Sequence, residues 1–72
     1  MKYVNYIYTF TKDSKLFVKI INARLDAPHH AAKLLKKEVG ENIDVTDLVI
    51  EGEQPIPVKS QPMIITGLNN EN

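Results

Sequence analysis

The sequence predicts an α+β domain, a small antiparallel sheet of three to four strands with one α-helix packed on one face, in the order β-β-α-β. Three observations predict it. The first 24 residues hold two runs rich in aromatic and β-branched types, separated by the polar stretch "TKDSK". A segment of good helix formers with apolar residues at helical spacing follows. The remainder is one β-rich run and a proline-punctuated arm, which a central strand does not tolerate.

The first strand is "YVNYIYTFT", residues 3–11. At a period of two, Val4, Tyr6, Tyr8 and Phe10 share a face, and this aromatic face is the one expected in the core. Asp and Ser in "TKDSK" can bond to their own backbone and favour a turn. Without Asn-Gly or Asp-Gly, a loop of three to five residues is expected. The second strand is "LFVKIINAR", residues 16–24, with Leu16, Val18 and Ile20 on one face. Phe17, Ile21 and Ala23 lie on the other, interrupted by Lys19. The two strands should pair as a hairpin, which needs a cover to be stable in water.

Residues 27–39, "APHHAAKLLKKEV", supply that cover as a helix. Asp26 or Ala27 is its expected N-cap, and Pro28 suits the first turn, where its missing N–H costs nothing. Gly40 marks the end, and Lys36 and Lys37 suit the negative end of the helix dipole. "ENIDVTD" reads as a connection with a single turn capped by Asp44. A third strand is expected around Leu48–Glu51, ended by Gly52. "QPIPVKSQP" is extended, and "MIIT", residues 63–66, reads as a short fourth strand or an arm that docks on a neighbour. The domain is expected to span residues 1–67, with residues 68–72 a frayed polar tail. Its expected core is Val4, Tyr6, Tyr8, Phe10, Val18, Ile20, Ala31, Ala32, Leu35, Val39, Leu48 and Ile50.

Composition restricts the function classes. There is no cysteine, hence no disulfide and no thiolate zinc site. The N-terminus does not read as a signal peptide, and no apolar run approaches the roughly 20 residues of a membrane-spanning helix. A soluble, cytoplasmic protein is the expectation. Net charge is zero, yet residues 1–37 carry eight basic residues against two acidic ones, +6. Residues 38–72 carry one against seven, −6. The plainest expectation is that the two halves pack together and neutralise each other.

The two histidines, His29 and His30, are adjacent. At about 100° per residue they fall off the stripe of Ala31, Ala32, Leu35 and Val39, on the outer arc with Lys33, Lys36 and Lys37. A helical zinc pair needs positions i and i+4, and position 33 is lysine. No metal site, no cofactor and no catalytic residue are therefore expected. The five residues form a basic face that could meet a partner. Ile7, Phe17 and Ile21 are the expected self-association face, because no second helix is available to cover that side of the sheet. The reading is a non-catalytic protein–protein interaction module that forms a homo-oligomer, in particular a dimer, or binds another protein. The alternative is a small nucleic-acid-binding protein that uses the basic helix face and the N-terminal aromatic strand. No membrane partner is expected.

Overall fold

A computed structural model describes residues 2–65. The expected tail at 68–72 lies outside the described residues, as do Met1, Thr66 and Gly67. The fold is α+β. Strands β1 (Tyr3–Lys12), β2 (Lys15–Arg24), β3 (Asp44–Gln54) and β4 (Ile64–Ile65) form one antiparallel sheet in the order β3-β1-β2-β4. The helix α1 (Pro28–Val39) lies between β2 and β3 in sequence and packs on β2.

The β1–β2 turn is tighter than its residues suggest. Lys12 pairs with Lys15, so only Asp13 and Ser14 make the turn, and both have positive φ, 54° and 65°. That is the backbone hairpins favour because its twist matches the strands. Asp tolerates the left-handed region better than most residues, since its short side chain can bond locally. The loop length decides which faces match. Each even position of β1 now stands opposite an odd position of β2: Val4 opposite Ala23, Tyr6 opposite Ile21, Tyr8 opposite Lys19, Phe10 opposite Phe17. A change of one residue in loop length exchanges the faces of a strand. The buried face of β2 is therefore Phe17, Lys19, Ile21 and Ala23, and the expected core residues Val18 and Ile20 lie on the other side, half-buried.

The core joins these residues to Ala31, Leu35 and Val39 of α1, with Leu34 and Ile43 at its margin. Ala32 is half-buried, beside the stripe. Phe10 and Phe17 stack across the hairpin with ring centroids 5.6 Å apart, and Tyr6 and Tyr8 stack along β1 at 6.4 Å. The Tyr6 hydroxyl donates to the Arg24 carbonyl at 2.8 Å, with the Leu25 carbonyl also in reach at 3.1 Å. This bond ties the core to the turn that launches the helix. Ala27 is the N-cap, without a side-chain cap bond. Asp26 is instead held by the Arg24 guanidinium through two bonds, at 3.1 and 2.9 Å. At the other end the Gly40 N–H donates to the Lys36 carbonyl at 2.8 Å, and Lys12 Nζ donates to the Val39 carbonyl.

Burial pushes the Tyr6 phenol above its ordinary value, and the Asp26 carboxylate adds to the rise. Burial does the same to Tyr8, with Tyr6 adding a smaller push. The folded state thus holds these protons more tightly than the unfolded chain. The associated stability is fully present below about pH 10, the unfolded value, and is lost as pH climbs through the raised folded values. Thermal melts should show Tm falling from about pH 10 upward, with a shallower fall in Tyr8→Phe. A Tm that stays level through the alkaline range would contradict this account.

The strand β3 corrects three expectations. It begins at Asp44, where a capped turn was expected, and continues past Gly52 to Gln54. Register shifts in its pairing with β1 fall between Thr9 and Phe10 and between Tyr3 and Asn5. Thr46 marks the first, its hydroxyl donating to the Thr9 carbonyl at 3.2 Å. Gly52 marks the second, with φ +74°. A bulge of this kind admits an extra residue without ending the strand, and glycine takes the left-handed conformation cheaply. Finally, the expected core residues Leu48 and Ile50 are exposed. They stand opposite Tyr8 and Tyr6, on the helix side of the sheet, but α1 packs two strands away.

A Cβ at Gly52 would meet Asn5 Nδ2 at 3.1 Å, and the Asn5 side chain is itself held by Asn22 Nδ2 at 3.1 Å. Gly52→Ala should therefore destabilise the fold by about 1–2 kcal/mol, the cost of a left-handed non-glycine residue. The check is the midpoint of a urea transition; an unchanged midpoint would show that the bulge relaxes freely.

Candidate interaction surfaces

His29, His30, Lys33, Lys36 and Lys37 are all exposed on α1, as the helical spacing predicts. Among the described residues, none of the five takes part in an ion pair. The charge halves are compensated only in part. Lys2 pairs with Glu53 at 3.1 Å and Lys19 with Glu38 at 2.9 Å, each joining the basic half to the acidic one. Asp44, Asp47 and Glu51 on β3 enter no ion pair among the described residues.

The expected self-association set does not form one face. Phe17 and Ile21 are buried under α1, whereas Ile7 lies on the opposite side of the sheet. The two-residue turn is the reason, since it exchanges the faces of β2 relative to β1. Ile7 stands between Val49 on β3 and Ile20 on β2, so these three make a straight apolar row across three strands. In the adjoining row Thr9 stands between Asp47 and Val18, with Ile64 beyond on β4. α1 packs on the other side, so no helix of the described residues covers this face, where Ile7, Val18 and Ile20 are half-buried and Val49 is exposed.

The aromatic platform is likewise on the wrong side for stacking on bases. Tyr6, Tyr8, Phe10 and Phe17 are buried in the core, and Tyr3 is half-buried. The aromatic half of the nucleic-acid alternative is therefore corrected: these rings hold the fold together.

Asn22 went unremarked in the sequence, although its signal is a polar residue inside an apolar strand. Its side-chain amide donates to the Val4 carbonyl and to Asn5 Oδ1, each at 3.1 Å, and its oxygen accepts from the Val58 N–H at 2.9 Å. Its backbone N–H donates to Ser60 Oγ at 3.0 Å. One residue thus fastens the proline-containing arm to the outer edge of β2. Gln61 N–H adds a bond to the Ile20 carbonyl at 3.2 Å before Ile64 and Ile65 pair with Val18 and Phe17. Of the expected fourth strand, Ile64 and Ile65 accordingly pair within their own sheet.

A cleft of about 290 Å³ lies where β1 begins and β3 ends, lined by Lys2, Glu53, Gln54 and Pro55. Its lining holds no histidine and no hydroxyl or thiol nucleophile, and the Lys2–Glu53 pair is spent on itself. Among the described residues, no three His, Asp or Glu side chains gather as a metal-binding set. No helix of the described chain is long and apolar enough to cross a membrane. Comparison of the chain with known protein families, curated proteins and solved structures finds no match.

Proposed function

We propose that the chain is a non-catalytic protein–protein interaction module that self-associates through the sheet face opposite α1. The observation that carries this reading is the row Val49–Ile7–Ile20, apolar across three adjacent strands with no helix above it among the described residues. Contiguous apolar surface on a small domain is usually an interaction site. A second copy suits it because two such faces can stack as a sandwich, about 10 Å apart, with inner side chains interdigitating. Charge selects the arrangement. Asp44, Asp47 and Glu51 stand opposite Thr11, Thr9 and Asn5, so they line the β3 margin of this open face. A two-fold axis along the strands keeps these margins apart, whereas an axis across the strands brings carboxylate to carboxylate.

Sedimentation equilibrium tests the proposal. The chain should show a concentration-dependent dimer, and Ile20→Lys should be monomeric with an unchanged circular dichroism spectrum. A strict monomer at the highest soluble concentration would overturn the reading. So would a dimer that Ile20→Lys leaves intact.

A further inference from the structure

We infer that the outer edge of β3 accepts an added strand from another protein, an extended segment with two cations four residues apart and three apolar residues between them. The inference concerns the edge of the sheet and does not depend on self-association through its face. β3 is a terminal strand of the sheet, 11 residues long, so the backbone groups along its outer side have no strand partner among the described residues. Such an edge is a template for pairing with another chain.

The side chains say what kind of strand fits. Between the two bulges, residues 47–51 run in regular register with Thr9 to Asn5 of β1. Asp47, Val49 and Glu51 point to the open face, opposite Thr9, Ile7 and Asn5. Leu48 and Ile50 point to the helix side, opposite Tyr8 and Tyr6, and Val45 extends that ridge opposite Phe10. Val45, Leu48, Val49 and Ile50 are each 41–46% exposed, although their inner neighbours on β1 are largely covered. A strand laid along this edge would place one residue opposite each of these, side chain on the same face. Its residues opposite Asp47 and Glu51 meet a carboxylate, and the three between them meet Leu48, Val49 and Ile50. β3 itself carries no lysine or arginine, so the carboxylates have no cation on their own strand. The fitting partner is therefore basic, apolar, apolar, apolar, basic.

A second copy of β3 does not fit. Antiparallel pairing about an axis normal to the sheet keeps the faces in common, so each acidic ridge would meet the other, and like charges across a ladder are unfavourable. The opposite edge of the sheet is already taken by the arm at Asn22, Ile20, Val18 and Phe17.

The test uses short peptides of roughly nine residues, the length of a long strand. One carries the core Lys-Val-Val-Val-Lys in a neutral, soluble context. A second has one lysine moved by a single position, so that the two cations fall on opposite faces. A third replaces both lysines with glutamate. Binding to the full-length chain is read by fluorescence anisotropy and by NMR shifts of β3 amides. The same titrations on Ile20→Lys remove any contribution from the proposed dimer. The first peptide should bind and perturb Asp47–Glu51 in both backgrounds, the second should bind roughly fivefold more weakly, and the third should not bind. Asp47→Asn combined with Glu51→Gln should abolish the difference between the first two. The inference is overturned if all peptides bind alike or none binds, the latter meaning that the carboxylates only keep the edge unpaired. Perturbations confined to α1 or the open face would overturn it too, as would a β3–β3 pairing between copies.

Discussion

Leu35→Ala should leave the chain at the limit of folding. A domain of 72 residues is expected to have about 4–11 kcal/mol of total stability, at roughly 0.05–0.15 kcal/mol per residue. Leu35 is 1% exposed and sits at the centre of the helix stripe, between Ala31 and Val39. Below it is a sheet face on which α1 is the only helix among the described residues. Truncating a buried leucine removes its transfer free energy and leaves a cavity, about 2–5 kcal/mol together. The upper half of that range is expected, because a single helix has no neighbour that could move in to fill the space. Urea denaturation followed by circular dichroism checks the value. Leu34→Ala, at the core margin, should lose about 1–2 kcal/mol, and the exposed Leu25→Ala almost nothing. If Leu35→Ala matched Leu25→Ala, α1 would not be the lid of the sheet.

Element order was legible in the sequence because it rests on composition and period. The runs "YVNYIYTFT" and "LFVKIINAR" are strands within one residue of the expected bounds, and the helix runs from Pro28 to Val39. The basic arc of His29, His30, Lys33, Lys36 and Lys37 followed from helical spacing and is exposed as expected. The antiparallel pairing of β1 with β2 was legible too; what failed was the choice of the face of β2 that is buried. The strand β2 is apolar on both faces, so its sequence does not say which side is buried. The turn decides that, and Asp13-Ser14 carries no glycine to announce a two-residue turn. The error passed directly to the interaction face, where Phe17 and Ile21 belong to the core and Ile20 and Val18 take the open side. Leu48 and Ile50 misled for another reason. A period-two pattern tells which residues share a face, but not how far across the sheet a single helix reaches. Lys19 was the available clue to an unusual core, because a lysine amid Phe17 and Ile21 must find partners if that face is buried.

Those partners make the response of the site to substitution asymmetric. Lys19 is 7% exposed, and its ammonium is held by Glu38 of α1 at 2.9 Å and by the Gln61 carbonyl of the arm. It is where sheet, helix and arm meet. Glu38→Ala leaves a buried cation with one carbonyl as its partner. Breaking a buried pair in this way costs about 3–5 kcal/mol, and a loss of about 2 kcal/mol is expected here, since the Glu38 side chain is 42% exposed and water can reach the site. Lys19→Met removes the charge itself and keeps a flexible apolar chain of similar length beside Tyr8. Its cost should be under about 1 kcal/mol, because Glu38 then turns to solvent. The double variant should resemble Lys19→Met, giving a coupling energy of about 2 kcal/mol between the two positions. The arm should respond differently. Lys19→Met removes a bond to Gln61, so the Gln61 N–H bonded to Ile20 should exchange with solvent faster while amides of the β1–β2 ladder keep their protection. Chemical denaturation and hydrogen exchange of the three variants together decide the matter. If Lys19→Met is worse than Glu38→Ala, the ion pair is a net source of stability, and the arm is held by the charge of Lys19 as much as by Asn22.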